Sequence, residues 1–184
     1  RCPQTAPSPP SWSAPPERVT GMTPVFIALG ANLADPLQQI TRAVAALRQL
    51  PHCRWVACSP LYASTPMGPA DQPDYVNGVA WLETALTPHQ LLDATQDIEL
   101  TQGRVRKAER WGPRTLDLDL LLYGNLTMHD ERLTVPHYGM RERSFVLQPL
   151  FDLVPDLVLP DGTPLRELIA ACDCSGLRPL PDRL

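Results

Sequence analysis

Basic residues are concentrated between residues 104 and 114, where the chain has five cations and one anion, Glu109. The cations are Arg104, Arg106, Lys107, Arg110 and Arg114. The local charge is therefore +4, although the formal net charge of the whole chain is −4. Because clustered cations repel one another, they are best tolerated where an anion binds, and phosphate is the commonest such ligand. The segment predicts a site for a phosphorylated ligand.

Two aspartates follow this basic segment directly. Residues 116–120 alternate leucine and aspartate, and this period of two predicts a strand whose leucines point inward. Asp117 and Asp119 would then share one face, with Cα atoms roughly 6.5 Å apart, a spacing that suits one or two Mg²⁺ ions. A solvated strand face and a solvated basic loop are the alternatives. Side by side, the two features favour magnesium-nucleotide chemistry, since both kinds of cation neutralise a polyphosphate.

The composition indicates a soluble globular protein. The chain has 184 residues, of which 43% are hydrophobic and 20% are charged, so one domain with a substantial core is expected. No apolar run approaches the roughly 18 residues needed to span a bilayer, and the acidic pI of about 5.5 disfavours nucleic-acid binding. Five cysteines are few and odd in number, which favours free thiols in a reducing cytoplasm over disulfides or a zinc site.

The chain divides into a leader and one domain. Residues 1–23 contain six of the 22 prolines, with serine and alanine between them. Such a composition cannot bury enough apolar surface to become ordered. We therefore expect a disordered, proline-rich leader over 1–23 and a folded domain over 24–184.

The hydrophobic patterns predict six elements in the order βαββαβ. Asp35 and Pro36 are typical of a helix N-terminus, and Thr87 with Gln90 forms a second capping box. This order is that of a ferredoxin-like α+β sandwich with its helices on one sheet face. The predicted strands cover 25–29, 53–63, 75–86 and 116–123, and the helices cover 36–50 and 88–102. An extra C-terminal hairpin over 127–137 and helices over 141–153 and 163–171 should follow.

Several other side chains admit two interpretations from the sequence alone. Trp111 could cover a site or pack on the core, and Tyr75, Asn77 and Phe145 are individually ordinary. His137 could contact a ligand, but lone histidines are more often structural. A Walker phosphate loop, a Rossmann fingerprint and a nucleophilic triad do not occur, so these classes of enzyme are not indicated.

Long segments of the chain resemble the 6-hydroxymethyl-7,8-dihydropterin pyrophosphokinase family of folate biosynthesis. The resemblance covers essentially residues 24–170, and its longest segment runs unbroken from Gly103 to Asp119. Shorter matching segments are 30–33, 68–77, 132–138 and 143–147. The resemblance implies a ferredoxin-like fold and transfer of the terminal pyrophosphoryl unit of ATP to the pterin hydroxymethyl oxygen, with AMP as the second product.

The resemblance also implies roles for individual residues. Asp117 and Asp119 would hold two Mg²⁺ ions, and Arg104 and Arg114 would be catalytic residues of a mobile loop that closes over the phosphates. The implied pterin contacts are Ser64, Thr65, Met67, Tyr75, Asn77, Asp117 and Phe145. The implied contacts to ATP, the co-substrate, are Gln96, Glu99, Arg106, Lys107, Trp111, Arg114, Leu120, Arg132, Leu133, Thr134, His137, Tyr138 and Arg143.

Ser64 departs from the family pattern, which usually has threonine there, so the hydroxyl is kept and a methyl group is lost.

We expect a cytoplasmic monomer without nucleic-acid or membrane partners. One alternative is a non-catalytic RNA-binding module of the same architecture, although the RNP signature is absent. A kinase of another small alcohol is a further alternative, and the aromatic residues Tyr75 and Phe145 favour a flat heteroaromatic acceptor instead.

Overall fold

A computed structural model of the chain describes residues 21–32, 35–64, 75–104 and 116–181, without the side chain of Arg104. Most of the predicted leader lies outside these residues. Within them the strands are β1 (Thr23–Ala31), β2 (Cys53–Cys58), β3 (Tyr62–Ser64), β4 (Tyr75–Thr84), β5 (Asp117–Tyr123), β6 (Met128–His129), β7 (Thr134–Val135) and β8 (Leu177–Pro179). The helices are α1 (Pro36–Arg48), α2 (Pro88–Arg104), α3 (Ser144–Leu153) and α4 (Leu165–Ala170).

One antiparallel sheet organises the fold. Its order is β5-β1-β4-β3-β8, and β2 pairs with β4 beside β3. The first five predicted elements and β5 therefore form the βαββαβ arrangement, and the predicted α+β class is confirmed. This topology places β5 beside β1, so the two aspartates lie next to the N-terminal strand.

The helices α1 and α2 cover one face of the sheet. Asp35 accepts a hydrogen bond from the Gln38 backbone N–H at 3.3 Å and so caps α1. At the start of α2, Thr87 and Gln90 exchange hydrogen bonds of 3.0 and 3.2 Å, which confirms the predicted capping box. The fully or almost fully buried side chains between these helices and the sheet include Ile27, Leu29, Ile40, Leu47 and Leu91.

The opposite face of the sheet is covered by α3 and α4. Phe26, Val79 and Leu121 of the sheet pack there against Leu147 and Leu150 of α3. The sequence predicted these C-terminal helices but not which face they cover. Because α3 covers only part of this face, the ends of β1, β4 and β5 remain open beside it.

The structure corrects several predicted boundaries. The strand predicted over 53–63 is two strands, since Pro60 has no N–H for the ladder and Ser59 Oγ accepts the Val79 N–H at 2.9 Å instead. The helix predicted over 141–153 is a 3₁₀ turn at Met140–Glu142 followed by α3, and the last helix is shorter, at Leu165–Ala170. The extra hairpin is confirmed as β6 and β7, whereas β8 was not predicted. Among the described residues, no helix is long and apolar enough to span a membrane.

Candidate active site

The predicted aspartate strand is confirmed as β5, and its alternation sorts the side chains as expected. Leu118 and Leu120 are buried on the α1–α2 side, whereas Asp117 and Asp119 both line a cavity on the other face. In the register with β1, Asp117 lies opposite Gly30 and Asp119 lies opposite Ala28. These small neighbours leave open space above the sheet, so both carboxylates reach the same cavity.

This first cavity, which we call the Asn77 cavity, has a volume of about 870 Å³. Asn77 is 8% exposed, and its Oδ1 accepts a long, 3.5 Å hydrogen bond from Ser64 Oγ. Tyr75 on β4 and Phe145 at the start of α3 line the same cavity. The structure therefore brings together an amide, two aromatic rings and two carboxylates, a set that suits a flat ligand with a polar edge.

A second cavity, which we call the Arg132 cavity, lies on the other side of β5 and has a volume of about 720 Å³. It is lined by α2, by β5 and by the β6–β7 hairpin with the residues that follow it. The predicted nucleotide contacts found there are Gln96, Glu99, Leu120, Arg132, Leu133, Thr134, His137 and Tyr138. Eight residues from separate elements are thus placed around one space, as the predicted nucleotide site requires.

Asp119 and His137 line both cavities. The two spaces therefore meet at the aspartate strand. Two ligands, one bound in each cavity, could therefore both reach the Asp119 carboxylate. This arrangement suits a transfer reaction between two bound molecules, because reacting groups held side by side avoid the entropy cost of a chance encounter.

His137 is held in one orientation at this junction. Its backbone N–H donates to the Leu121 carbonyl at 2.9 Å, and its Nδ1 accepts the Gly139 N–H at 3.1 Å. Burial lowers the pKa of His137; the nearby charge of Asp119 opposes this shift and that of Arg143 adds to it. A neutral ring whose Nδ1 accepts a hydrogen bond carries its proton on Nε2. His137 can therefore present an N–H donor without an additional charge.

Cationic and aromatic groups surround His137. The Tyr138 ring stacks on it with centroids 4.7 Å apart, although Tyr138 is 79% exposed. The Arg143 guanidinium lies 5.7 Å from the centroid of Tyr138 and 5.9 Å from that of Phe145. Arg143 lines the Asn77 cavity, whereas the family resemblance implies that it contacts the nucleotide. Its charge therefore lies on the side of the junction where the flat ligand would bind.

The aspartate pair fits Mg²⁺ that is bound together with a polyphosphate. Among the residues that the structure describes, no group of three or more His, Cys, Asp or Glu side chains is arranged to hold a metal ion. Magnesium in nucleotide sites commonly uses one or two carboxylates, and phosphate and water oxygens complete its coordination. Asp117 and Asp119 supply that number of carboxylates, so the donor set suits a metal that arrives with its nucleotide.

Six predicted site residues lie outside the described residues, and their assignments stay predictions. They are Thr65, Met67, Arg106, Lys107, Trp111 and Arg114. The side chain of Arg104 is likewise outside the part of the chain that the structure describes.

The C-terminal wall of the Asn77 cavity was not predicted from the sequence. It is formed by Asp173, Ser175, Gly176 and Leu177. These residues reach the cavity because β8 pairs with β3. A three-residue strand gives no usable periodicity, so no sequence signal identified them.

Known proteins are similar to this chain over most of its length. The family model for 7,8-dihydro-6-hydroxymethylpterin-pyrophosphokinase matches residues 26–155. The 2-amino-4-hydroxy-6-hydroxymethyldihydropteridine pyrophosphokinase of Pseudomonas aeruginosa is 60% identical over 157 residues, which are 85% of this chain and 96% of that protein. The protein of the same name from Haemophilus influenzae is 53% identical and covers 80% of this chain and 92% of its own length.

Solved structures share the fold. Wild-type Plasmodium falciparum HPPK-DHPS with SDX-DHP has a TM-score of 0.64 at 14% identity. The alignment covers 82% of this chain but 44% of that longer one. At this identity the likeness concerns the fold alone, whereas the family model and the similar sequences carry the assignment. The chain belongs to the 7,8-dihydro-6-hydroxymethylpterin-pyrophosphokinase family of enzymes.

Proposed function

We propose that the chain transfers pyrophosphate from ATP to the hydroxymethyl group of 6-hydroxymethyl-7,8-dihydropterin, with Mg²⁺, and that the products are AMP and the pterin diphosphate. The observation that carries this proposal is that Asp119 and His137 line both cavities. Two substrates that occupy these spaces would meet at the carboxylate pair. Family membership supports the class of reaction, a pyrophosphokinase step of folate synthesis.

The Asn77 cavity would hold the pterin. A pterin ring has two flat faces and an edge with hydrogen-bond donors and acceptors, and Tyr75 and Phe145 offer aromatic surfaces to the faces. The Asn77 side chain both donates and accepts, so one residue can match adjacent groups of the edge. The buried position of Asn77 makes this recognition strict, because a ligand without matching groups would leave a buried amide unpaired.

The Arg132 cavity would hold ATP, with its phosphates directed toward Asp119. Gln96 and Glu99 on α2 and Thr134 on β7 provide polar contacts, and Leu120 and Leu133 provide apolar surface. The cations Arg104, Arg106, Lys107, Arg110 and Arg114 lie along the chain from the last residue of α2 to the start of β5. We propose that Arg104 and Arg114 close over the phosphates and that Trp111 contributes to the same cover.

The proposed reaction is an in-line displacement at the β-phosphorus. The pterin hydroxymethyl oxygen forms a bond to this phosphorus, and the bond between the β-phosphorus and the oxygen that bridges to the α-phosphorus breaks. That oxygen leaves with AMP, and the hydroxymethyl proton is released. Asp117 and Asp119 would hold two Mg²⁺ ions, which neutralise the charge of the phosphates.

The protein side chains contribute positioning and charge. The neutral His137 can donate its Nε2 hydrogen to a phosphate oxygen, and Arg143 adds a positive charge on the acceptor side of the junction. Such prearranged groups stabilise charge that develops in the transition state. Exclusion of water by the basic segment 104–114 would prevent hydrolysis, in which water replaces the pterin as acceptor.

The decisive experiment incubates the protein with ATP, MgCl2 and the hydroxymethyl pterin and separates the nucleotides by chromatography. The proposal predicts one AMP and one pterin diphosphate for each ATP consumed, with no reaction in EDTA. Formation of ADP would indicate monophosphate transfer and would contradict the proposal. Formation of AMP without the pterin diphosphate would indicate hydrolysis instead.

We also propose that the protein acts as a cytoplasmic monomer. Among the described residues, Cys53, Cys58, Cys172 and Cys174 are free thiols, as a reducing compartment favours. Sedimentation at working concentration tests the oligomeric state. A dimer whose dissociation abolishes activity would contradict this part of the proposal.

A further inference from the structure

Two side-chain contacts attach the β6–β7 hairpin to α2. His89 Nε2 lies 2.6 Å from Asp130 Oδ2, and Arg132 Nη2 lies 2.5 Å from Asp93 Oδ1. His89 and Asp93 are four residues apart and therefore lie on the same face of the helix. Both contacts hold the same short loop, residues 130–133, against this face.

The loop is itself well defined by hydrogen bonds. Asp130 Oδ1 accepts the backbone N–H groups of Arg132 and Leu133, each at 2.9 Å, and the Asp130 N–H donates to the Leu133 carbonyl at 3.0 Å. The two N–H donors are the main reason why the pKa of Asp130 lies below its ordinary value, with His89 adding to the effect. The backbone of Arg132 is therefore fixed, and the remaining freedom lies in its long side chain.

Asp93 limits that remaining freedom. It pairs with Arg132 although its own side chain is 62% exposed, and among the described residues it lines neither cavity. Gln96, three residues later on α2, lines the Arg132 cavity, and its Oε1 lies 3.5 Å from the same Nη2 atom. The guanidinium thus lies at the entrance of the cavity, between a carboxylate outside it and an amide within it.

A guanidinium held in this way can still bind a ligand. Arginine has five N–H donors, and both contacts just described involve Nη2, so Nε and Nη1 can meet oxygen atoms of a nucleotide. Fixing a flexible side chain before the ligand arrives reduces the entropy lost on binding. Asp93 lines neither cavity, so any effect of it on a ligand there would act through Arg132.

We propose that Asp93 is a positioning residue for the nucleotide, which acts by orienting the Arg132 guanidinium at the entrance of the Arg132 cavity. This inference rests on the proposed function, because it takes the ligand of that cavity to be a nucleoside triphosphate. It adds a residue of α2 that the family resemblance did not include among the nucleotide contacts.

The test begins with Asp93→Asn, which removes the charge and keeps the shape. We expect the KM for ATP to rise about threefold, as for an exposed ion pair, while kcat and the KM for the pterin stay unchanged. Asp93→Glu should restore most of the ATP affinity. The matched control is Asp97→Asn, because Asp97 is exposed on the same helix and lines neither cavity.

A double-mutant cycle distinguishes positioning from a general effect of charge. In an Arg132→Gln background, Asp93→Asn should leave the KM for ATP unchanged, since its partner is already absent. The inference would be overturned if Asp93→Asn changed the KM for ATP equally in both backgrounds. It would also be overturned if Asp93→Asn had no effect on this KM, or only the effect of Asp97→Asn.

Calorimetry with α,β-methylene-ATP and MgCl2 separates this inference from the proposed function. A threefold weaker binding of this analogue to Asp93→Asn supports the role of Asp93 even if the wild-type protein forms no AMP. Conversely, a wild-type protein that forms AMP while Asp93→Asn binds the analogue normally leaves the proposed function standing and contradicts the inference.

Discussion

Gly30 and Asn77 lie so close together that a Cβ atom at residue 30 would be 3.1 Å from Asn77 Nδ2. The two residues are register partners on β1 and β4. The glycine therefore leaves room for the amide that is proposed to recognise the pterin edge. A side chain at residue 30 would press on the amide nitrogen itself.

We expect Gly30→Ala to raise the KM for the pterin about fivefold, since the loss of one well-formed hydrogen bond costs roughly 1 kcal/mol. The KM for ATP should stay unchanged, because Gly30 lines the Asn77 cavity and is not among the described residues that line the Arg132 cavity. In an Asn77→Ala background the same substitution should cost little. A rise in the KM for ATP instead would place the pterin elsewhere.

The carboxylate pair should dominate turnover. Asp117→Ala or Asp119→Ala is expected to lower kcat by at least ~10²-fold, the usual cost of removing one prearranged electrostatic group. Steady-state kinetics at saturating MgCl2 would measure the effect, and Asp97→Ala, at an exposed position outside both cavities, is the control. Near-normal turnover in both variants would count against the metal assignment.

Arg114 should act in the transition state more than in substrate binding. We expect Arg114→Ala to slow the chemical step in single-turnover experiments by ~10²-fold while ATP affinity changes little. Arg42→Ala removes an exposed cation from α1 and should have no effect on either quantity. Weaker ATP binding with an unchanged chemical step would show that Arg114 only binds the nucleotide.

Tyr62 should ionise only at high pH and make the free energy of unfolding sensitive to alkaline pH. Burial raises the pKa of Tyr62 to about 12, and its hydrogen bond to the Asp152 carboxylate adds to this shift. The neutral phenol is thus favoured in the folded state. Its contribution to the free energy of unfolding is present below the ordinary tyrosine pKa of about 10 and is lost as the pH rises through about 12.

Absorbance titration of the phenolates would check this expectation. The other three of the four tyrosines serve as the reference for the pH of ionisation. Tyr62→Phe should remove the late transition, and Asp152→Asn should move it to lower pH because the negative charge that opposes ionisation is gone. If the late transition persists in Tyr62→Phe, it belongs to another tyrosine.

The local structure and the family could be predicted from the sequence alone. Capping residues such as Asp35 and Thr87, and the alternation around Asp117 and Asp119, depend on neighbours in the chain, so they could be predicted without knowledge of the fold. The long matching segments identified the enzyme family for the same reason, since they are read directly along the chain. The RNA-binding alternative shared only the architecture and is set aside by that assignment.

How distant segments meet could not be predicted from the sequence and is seen in the folded chain. The placement of α3 opposite α1 and α2 left an open end of the sheet, the pairing of β8 with β3 added a wall to the Asn77 cavity, and Asp93 met Arg132 across 39 residues of sequence. Each of these contacts depends on the packing of elements that are far apart in the chain. Local patterns carry no information about such distances, which is why the shared position of Asp119 and His137 between two cavities appeared only in three dimensions.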